Sequence, residues 1–326
     1  MVWFDFIFKR TQKVKTGDEN TQSSILENDS HIRIPSLNFN GMFVSSDNKK
    51  FKLAWQHTSN LDANPNRQAV GFVNYILLED SKVIAKGHIE SPDRGKVANN
   101  GTFMLHDNGC INKLSGTLYV FDVSGKNIIR REFKANITTS DLSIDGRFAA
   151  CQTANSDDIN DSGALTVFDL TKGIELAQWY PESGWPSLYK FYPENEMIGL
   201  GDSHLGVFRY SLTGEFIDRE LWQEANLFKG KYWHVLMMSE KLIKVAEGKP
   251  SPALAEKLLF SMDKIMTTIP KNNEGGWQAM CLKLQGICLE SKDDMKSALT
   301  CYNDALALDP KIGVKQRVNK IKKHFV

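Results

Sequence analysis

The chain has 326 residues, of which 41% are apolar, and it carries 40 Lys and Arg against 39 Asp and Glu. This length suggests about two domains, with enough apolar residues for a substantial core. A formal net charge of +1 excludes a whole-chain field that would attract nucleic acid or acidic membranes, so any such contact needs a local patch.

Five cysteines occur without CxxC spacing and without a secretory signal, at Cys110, Cys151, Cys281, Cys288 and Cys301. They predict reduced, mostly buried thiols in a cytoplasmic protein. No apolar run approaches the ~20 residues of a membrane-spanning helix.

Residues 1–34 are predicted to be an N-terminal apolar segment followed by a polar linker. Segment 1–10 (MVWFDFIFKR) concentrates aromatic and aliphatic side chains ahead of basic residues. It predicts either a strand or helix that covers the next domain, or an interfacial membrane anchor through Trp3, Phe4 and Phe8. Residues 11–30 have the composition of a linker.

Two short signatures recur between residues 35 and 222. The first is a turn pair ahead of an apolar strand, at Asn40-Gly41, Asn100-Gly101, Asp145-Gly146 and, in degenerate form, Glu194-Asn195. The second is a strand that is apolar on both faces, with its aligned aromatics at Tyr75, Phe121, Phe168 and Tyr210. Turn residues follow three of these strands, at 124–126, 171–173 and 213–215, and predict hairpins.

The aligned aromatics are 46, 47 and 42 residues apart. A period of this size with several short strands per unit is typical of a β-propeller blade. A strand that is apolar on both faces suits a sheet covered on both sides. The competing fold is a β-sandwich, which does not repeat two signatures at a fixed long period.

Residues 145–150 and 163–173 resemble one blade of a WD-repeat protein. Phe168-Asp169 stands where that family has Trp-Asp, and Phe121-Asp122 occupies the same place one blade earlier. The resemblance covers about residues 35–222 and implies a small WD-like β-propeller of about four blades.

From about residue 221 the apolar pattern changes to a helical period, and residues 223–326 are predicted to form a helical domain of about five helices. Helices are predicted at 232–246 and 253–269, the latter starting at Ser251-Pro252, and a third begins near Trp277. Residues 311–326 are predicted to form the closing helix.

Ten positions in this region resemble the signature of a tetratricopeptide repeat (TPR). They are Leu282, Gly286, Asp294, Ala298, Tyr302, Ala305, Leu306, Leu308, Asp309 and Pro310. The resemblance implies a TPR-like solenoid in which Gly286 and Ala298 let two helices approach and Tyr302 fills the gap between them. It also places Met280, Lys283, Ile287 and Glu290 on the groove, where they are the predicted partner-binding residues. The clamp that binds chaperone C-termini retains only Lys283, which disfavours that ligand.

No motif argues positively for catalysis or for a cofactor. Gly201-Asp202-Ser203 resembles the nucleophile block of GDSL-type hydrolases, but no histidine has an aspartate three residues before it. Asp158-x-Asn160-x-Ser162-Gly163 matches part of a calcium loop, and a solvated loop between strands is the favoured interpretation. The seven histidines lack metal-site spacing. We therefore predict no catalytic residue, no metal ligand and no cofactor.

The predicted closing helix is basic, with Lys311, Lys315, Arg317, Lys320, Lys322 and Lys323. Nucleic-acid contact is one interpretation, but lysines at a helix C-terminus also suit a solvated solenoid end, which we favour.

Two scaffolds known mainly for holding other proteins predict a non-enzymatic interaction module or adaptor with an unidentified protein partner. This inference is by analogy. A narrower variant is a neutralising, immunity-type partner of another protein. The alternative is a propeller-based hydrolase or sugar-binding enzyme, which needs polar side chains that converge at the propeller axis.

Overall fold

The computed structural model describes residues 25–28, 30–56, 74–90, 92–108, 114–270 and 276–323. The chain divides into two compact units. The sheet unit comprises Met1–Gly201 and Arg209–Ile217, and the helical unit comprises Asp202–Phe208 and Asp218–Val326. Segment 1–10, most of the stretch 11–30 and Cys110 lie outside the described residues.

Antiparallel strands form four sheets, in each of which neighbouring strands follow one another along the chain. The first sheet has β1 (Leu26–Glu27), β2 (His31–Ile34), β3 (Phe39–Ser45), β4 (Phe51–Trp55), β5 (Tyr75–Glu79) and β6 (Lys82–Gly87). The second has β7 (Pro92–Val97), β8 (Phe103–Asp107), β9 (Gly116–Phe121) and β10 (Asn127–Phe133). The third has β11 (Ile137–Leu142), β12 (Phe148–Thr153), β13 (Leu165–Asp169) and β14 (Ile174–Trp179). The fourth has β15 (Leu188–Tyr192), β16 (Met197–Asp202) and β17 (Gly206–Ser211).

The core of the sheet unit lies between sheets. One cluster joins the first and second sheets and includes Leu53, Trp55, Leu77, Phe103 and Leu105. A second joins the second and third sheets and includes Leu118, Val120, Ala149, Cys151 and Phe168. Among the four strands of the second signature, β13 is buried along its whole length and β5 at four of its five residues. β9 and β17 alternate between buried and half-buried residues, so the prediction of a strand covered on both faces holds for β5 and β13. Within the described ranges, no strand of the fourth sheet pairs with the first, so strand pairing does not close the sheets into a ring.

The same turn precedes β4 and β12. The hydroxyl of Ser46 bonds to Asn48 Oδ1 at 2.7 Å and accepts from the Phe51 N–H at 3.0 Å. Ser143, Asp145 and Phe148 repeat these two bonds at 2.6 and 2.8 Å. The turn before β8 is related, with Gly101 in the left-handed region as at Gly146. The turn pairs at Asn100-Gly101 and Asp145-Gly146 are thus confirmed.

The predicted turn at Asn40-Gly41 is wrong, because both residues lie inside β3. A Cβ on Gly41 would lie 2.2 Å from the carbonyl oxygen of Trp55, so this glycine permits close approach of β4 and does not form a turn. The left-handed position of the actual turn is taken by Lys49, at φ 62°. The degenerate fourth signature leads into β16 through Glu196, which also has positive φ.

The predicted hairpin turns after the second signature are confirmed. Asp122 Oδ1 accepts from the Ser124 and Lys126 N–H groups at 2.9 and 3.0 Å, and the Ser124 hydroxyl bond lowers the pKa of Asp122. Asp169 makes the equivalent turn with Thr171. Ser211 takes this place in the fourth sheet and accepts from the Glu215 N–H. Gly125, Gly173 and Gly214 have positive φ, which glycine adopts at low cost.

Six helices follow the sheets in the described sequence: α1 (Arg219–Phe228), α2 (Tyr232–Val245), α3 (Pro252–Met266), α4 (Trp277–Ser291), α5 (Met295–Leu308) and α6 (Lys315–Lys322). The predicted starts are confirmed for α2, α3 and α4, and Ser251 Oγ caps α3 by accepting from the Leu254 N–H at 3.3 Å. Five helices were predicted, and the additional one is α1, a helix of ten residues that was too short to separate from the composition change at 221. None of the described helices has both the length and the apolar character that a membrane crossing requires.

Candidate partner-binding surfaces

The α4 face consists of the four groove residues predicted from the sequence, Met280, Lys283, Ile287 and Glu290. Met280 and Lys283 are half-buried and Ile287 is buried. Glu290 Oε2 accepts from the Tyr302 hydroxyl at 2.9 Å and from Arg317 Nη1 at 2.7 Å. All four residues lie on one helix, but Ile287 and Glu290 already have partners or packing inside the helical unit.

Glu290 ties three helices together, because Tyr302 lies on α5 and Arg317 lies on α6. Tyr302 is fully buried, and burial raises the pKa of its hydroxyl. A Cβ on Gly286 would lie 2.5 Å from Tyr302 Cε1, so the glycine makes room for the ring. The sequence predicted this close approach of α4 and α5. It did not predict the ion pair that joins α6 to them.

A second surface lies on two loops of the sheet unit, and the sequence did not indicate it. We call Ile159, Tyr180 and Trp185 the aromatic loop surface. Ile159 lies in the β12–β13 connection (154–164), and the other two lie in the β14–β15 connection (180–187). Their exposed fractions are 84%, 58% and 52%. Because β12 ends and β13 begins opposite the end of β14, both loops lie at the same end of the third sheet.

Hydrogen bonds hold the aromatic loop surface in place. The Tyr180 hydroxyl donates to the carbonyl oxygen of Ile159, so the two loops are joined. Trp185 Nε1 donates to the carbonyl oxygen of Thr153 at 3.0 Å. The Tyr210 hydroxyl of β17 donates to Ser183 Oγ at 3.0 Å. These bonds fix the exposed aromatic rings before any partner arrives, which lowers the entropy cost of binding.

Buried prolines give the 180–187 segment its shape. Pro181 and Pro186 are buried, while Gly184, at φ +85°, closes a turn by donating its N–H to the Pro181 carbonyl at 3.0 Å. The segment therefore anchors its prolines inward and presents Tyr180 and Trp185 outward.

The loop that carries Ile159 is the one with the partial calcium pattern. Asp158 Oδ1 accepts from the Asn160 and Asp161 N–H groups at 3.1 Å each, and its other oxygen lies 2.9 Å from Lys134 Nζ. Asp161 Oδ1 is 3.1 Å from Arg131 Nη2. Backbone amides and Lys134 thus occupy both carboxylate oxygens of Asp158, the first residue of that pattern, which agrees with the favoured interpretation as a loop between strands.

A polar cluster lies between the second and third sheets. His106 of β8 is buried, with Nδ1 2.8 Å from Ser140 Oγ of β11 and Nε2 3.4 Å from Asp93 Oδ2 of β7. Asn108 Nδ2 donates to the same Asp93 oxygen at 3.4 Å. The order of groups, a hydroxyl, an imidazole and a carboxylate, is one that can activate a serine. It equally serves as a polar bridge between two packed sheets.

The helical unit has an exposed aromatic pair of its own, formed by Phe228 of α1 and Phe260 of α3. Their ring centroids are 6.4 Å apart. Lys257 Nζ lies 5.5 Å from the centroid of Phe228 and 2.8 Å from Glu224 Oε1. Lys264 Nζ lies 5.7 Å from the centroid of Phe260. This pair serves as a control for the aromatic loop surface. Its rings are also exposed, but lysines lie next to them where aspartates lie near the aromatic loop surface.

Gly201 and Asp202 of the motif end β16, and Ser203 begins the turn to β17, where a hairpin was predicted. Asp202 Oδ1 accepts from the His204 and Leu205 N–H groups at 2.7 and 2.8 Å. The aspartate therefore shapes the turn. In the parts of the chain that the structure describes, no three His, Cys, Asp or Glu side chains form a group that could hold a metal ion.

The sequence missed Ile159, Tyr180 and Trp185 because they follow no period. The available signal was local: residues 180–187 read YPESGWPS, in which two large aromatics stand in a segment rich in proline and glycine. Such segments form surface turns, so aromatics there are candidates for exposure.

Comparisons with known proteins leave the family open. No protein-family model matches the chain, and no curated protein matches it. Among solved structures the chain is similar to one described as "Crystal structure of the eukaryotic initiation factor", at 15% identity and a TM-score of 0.30 over 43% of this chain. The similarity covers 32% of that other chain. A TM-score this low carries no argument about fold or function.

Proposed function

We propose that this protein is a non-enzymatic interaction module or adaptor that holds another protein. The observation that carries the proposal is the aromatic loop surface, on which Ile159, Tyr180 and Trp185 are exposed and held by hydrogen bonds. Tyrosine and tryptophan are enriched among the residues that dominate binding energy in protein interfaces. Exposed apolar groups that lie together often mark such interfaces.

The proposed architecture is a WD-like β-propeller of about four blades followed by a TPR-like solenoid. Support for the propeller comes from the shared turns before β4 and β12 and from the face-to-face packing of successive sheets. Support for the repeat comes from the Gly286–Tyr302 contact and from Asp294, whose Oδ1 accepts from the Ser297 N–H at 3.1 Å. Both scaffolds commonly hold proteins, and the step from fold to function is by analogy.

This chain is proposed to be cytoplasmic and its partner to be a protein, and a neutralising, immunity-type role is the narrower form of the proposal. The α4 face is the second proposed contact, through Met280 and Lys283. Its other two members, Ile287 and Glu290, contribute to the packing of the helical unit.

A second candidate function is hydrolysis, which the His106 cluster favours. Ser140 would be the nucleophile, His106 the base and Asp93 the group that orients the imidazole, since their atoms already lie 2.8 and 3.4 Å apart. Turnover of an ester probe that Ser140→Ala abolishes and Ser203→Ala preserves would establish this candidate. Equal turnover in both variants would remove it.

Affinity purification from native cell extract tests the main proposal. The tagged chain is compared with Tyr180→Ala/Trp185→Ala and with Phe260→Ala, a matched loss of an exposed ring on the helical unit. We expect one stoichiometric protein with the wild type and with Phe260→Ala, and its loss from the double variant at an unchanged melting temperature. Retention of that protein by the double variant would refute the role of this surface.

A further inference from the structure

The two connections that carry the aromatic loop surface are acidic. The 154–164 connection reads ANSDDINDSGA and contains three aspartates, Asp157, Asp158 and Asp161, without a lysine or arginine. The 180–187 connection adds Glu182 and also lacks a cation. Both connections therefore combine exposed rings with acidic side chains.

Two neighbouring cations compensate part of this charge. Lys134 and Arg131 lie against Asp158 and Asp161, and Arg131 also bonds to Glu175. Asp157 is exposed in the same loop, two residues before Ile159 in the sequence. The three aspartates of the 154–164 connection thus outnumber the two cations that pair with them, which leaves this loop with a net negative charge.

We infer that the aromatic loop surface binds a lysine- and arginine-rich segment of a partner protein, an inference that rests on the proposed function. Guanidinium and ammonium groups are attracted to the faces of tyrosine and tryptophan. Tyr180 and Trp185 are exposed, and Asp157 adds an exposed carboxylate on the loop that carries Ile159, at the same end of the third sheet. A basic segment could therefore contact both an aromatic ring and a carboxylate of opposite charge.

The charge of the surface argues against other occupants. Phosphate-rich ligands, nucleic acids and anionic membranes are repelled by a surface of the same sign. A second copy of this chain is the main competitor, because α6 and its flanks carry six basic residues between 311 and 323. A separate partner is the better occupant, because Arg317 of α6 already forms an ion pair with Glu290.

The test uses the full chain and two labelled peptides of twelve residues in fluorescence anisotropy. One peptide alternates arginine with serine, and the other alternates glutamate with serine. We expect binding of the arginine peptide alone, with a Kd that rises with salt. Tyr180→Ala/Trp185→Ala should weaken it by about tenfold, and Asp157→Lys by several-fold. Asp157→Lys changes an exposed side chain, so it keeps the test valid if the double variant does not fold.

Phe260→Ala is the matched control and should leave the Kd of the arginine peptide unchanged. Equal binding of both peptides, an equal loss in Phe260→Ala, or no effect of Asp157→Lys would overturn the inference. A dimer that disappears when 311–326 are deleted would also overturn it, by making a second copy the occupant. If the native partner is lost from Tyr180→Ala/Trp185→Ala but the wild-type chain does not bind the arginine peptide, only the inference of a basic ligand is refuted. Retention of that partner would instead refute the proposed function.

Discussion

The aromatic loop surface and the α4 face differ in what their side chains already contact. On α4, Ile287 is buried and Glu290 holds Tyr302 and Arg317, so half of the predicted groove residues stabilise the helical unit. On the loops, backbone and hydroxyl bonds fix Tyr180 and Trp185 while their rings stay exposed. The repeat signature thus identified residues that pack inside the helical unit more directly than residues that bind a partner. Exposed side chains on a rigid, irregular loop are better candidates for partner binding.

Gly286→Ala tests the packing side of this comparison. Alanine normally stabilises a helix interior relative to glycine by up to ~1 kcal/mol, but here its Cβ would lie 2.5 Å from the buried Tyr302 ring. We expect a loss of about 1–3 kcal/mol in the free energy of unfolding, from overpacking. Urea denaturation measures it. Gly286→Ala/Tyr302→Leu is the control, and additive losses in the double variant would contradict the contact.

Glu290→Ala separates packing from binding on the α4 face. It removes the acceptor of the Tyr302 hydroxyl and of Arg317, so we expect the free energy of unfolding to fall by about 1–2 kcal/mol. Lys283→Ala on the same helix should change it by less than ~0.5 kcal/mol. Thermal unfolding of both variants gives the comparison. If both substitutions changed the free energy of unfolding by equally small amounts, Glu290, like Lys283, would contribute little to folding, and the predicted difference would be wrong.

We predict that His234 makes the stability of the helical unit depend on pH in mild acid. Burial, and then the charge of His204, lower the pKa of His234 below its ordinary value of 6.5. The unfolded chain therefore takes up this proton first as pH falls, so the contribution to stability is complete above pH 6.5 and declines below it. We expect His234→Gln to flatten the pH dependence of unfolding between about pH 6.5 and 5. If the stability of His234→Gln fell as steeply with pH as that of the wild type, groups other than His234 would govern stability in this pH range.

Thiol labelling compares how readily the sheet unit and the helical unit expose their buried cysteines, and it changes the protein least. Cys151 reports on the sheet unit, and Cys281 and Cys288 report on the helical unit. All three are buried, and burial raises the pKa of Cys281 and Cys288 to about 12. In a Cys110→Ser background, we expect iodoacetamide at pH 8 to modify half-buried Cys301 first, as mass spectrometry of the peptides would show. Equally fast labelling of Cys151 would mean that the sheet unit opens readily.

Periodic and local patterns predicted most of the secondary structure. The hairpin turns after Asp122 and Asp169 and the start of α3 at Ser251 follow from residue type alone, because specific side-chain bonds make them. The turn at Lys49 was missed because a lysine holds a positive φ there, which residue preferences do not anticipate.

The binding surface was harder to predict than the fold. Tyr180 and Ile159 are 21 residues apart, and they meet only because β13 and β14 return the chain to the same end of the third sheet. Glu290 was predicted to bind a partner but forms an ion pair with Arg317. Nothing in the sequence indicates that this groove position already has a partner inside the helical unit.

Hydrogen–deuterium exchange with the purified partner tests most directly where binding occurs. Peptides that cover 154–164, 180–187 and 277–291 are followed in the free chain and in the complex. We expect the largest slowing of exchange in the first two regions, and a smaller slowing along α4, where Met280 and Lys283 are the second proposed contact. Protection confined to 277–291, with the two loops unaffected, would contradict the account and return the binding site to the α4 face.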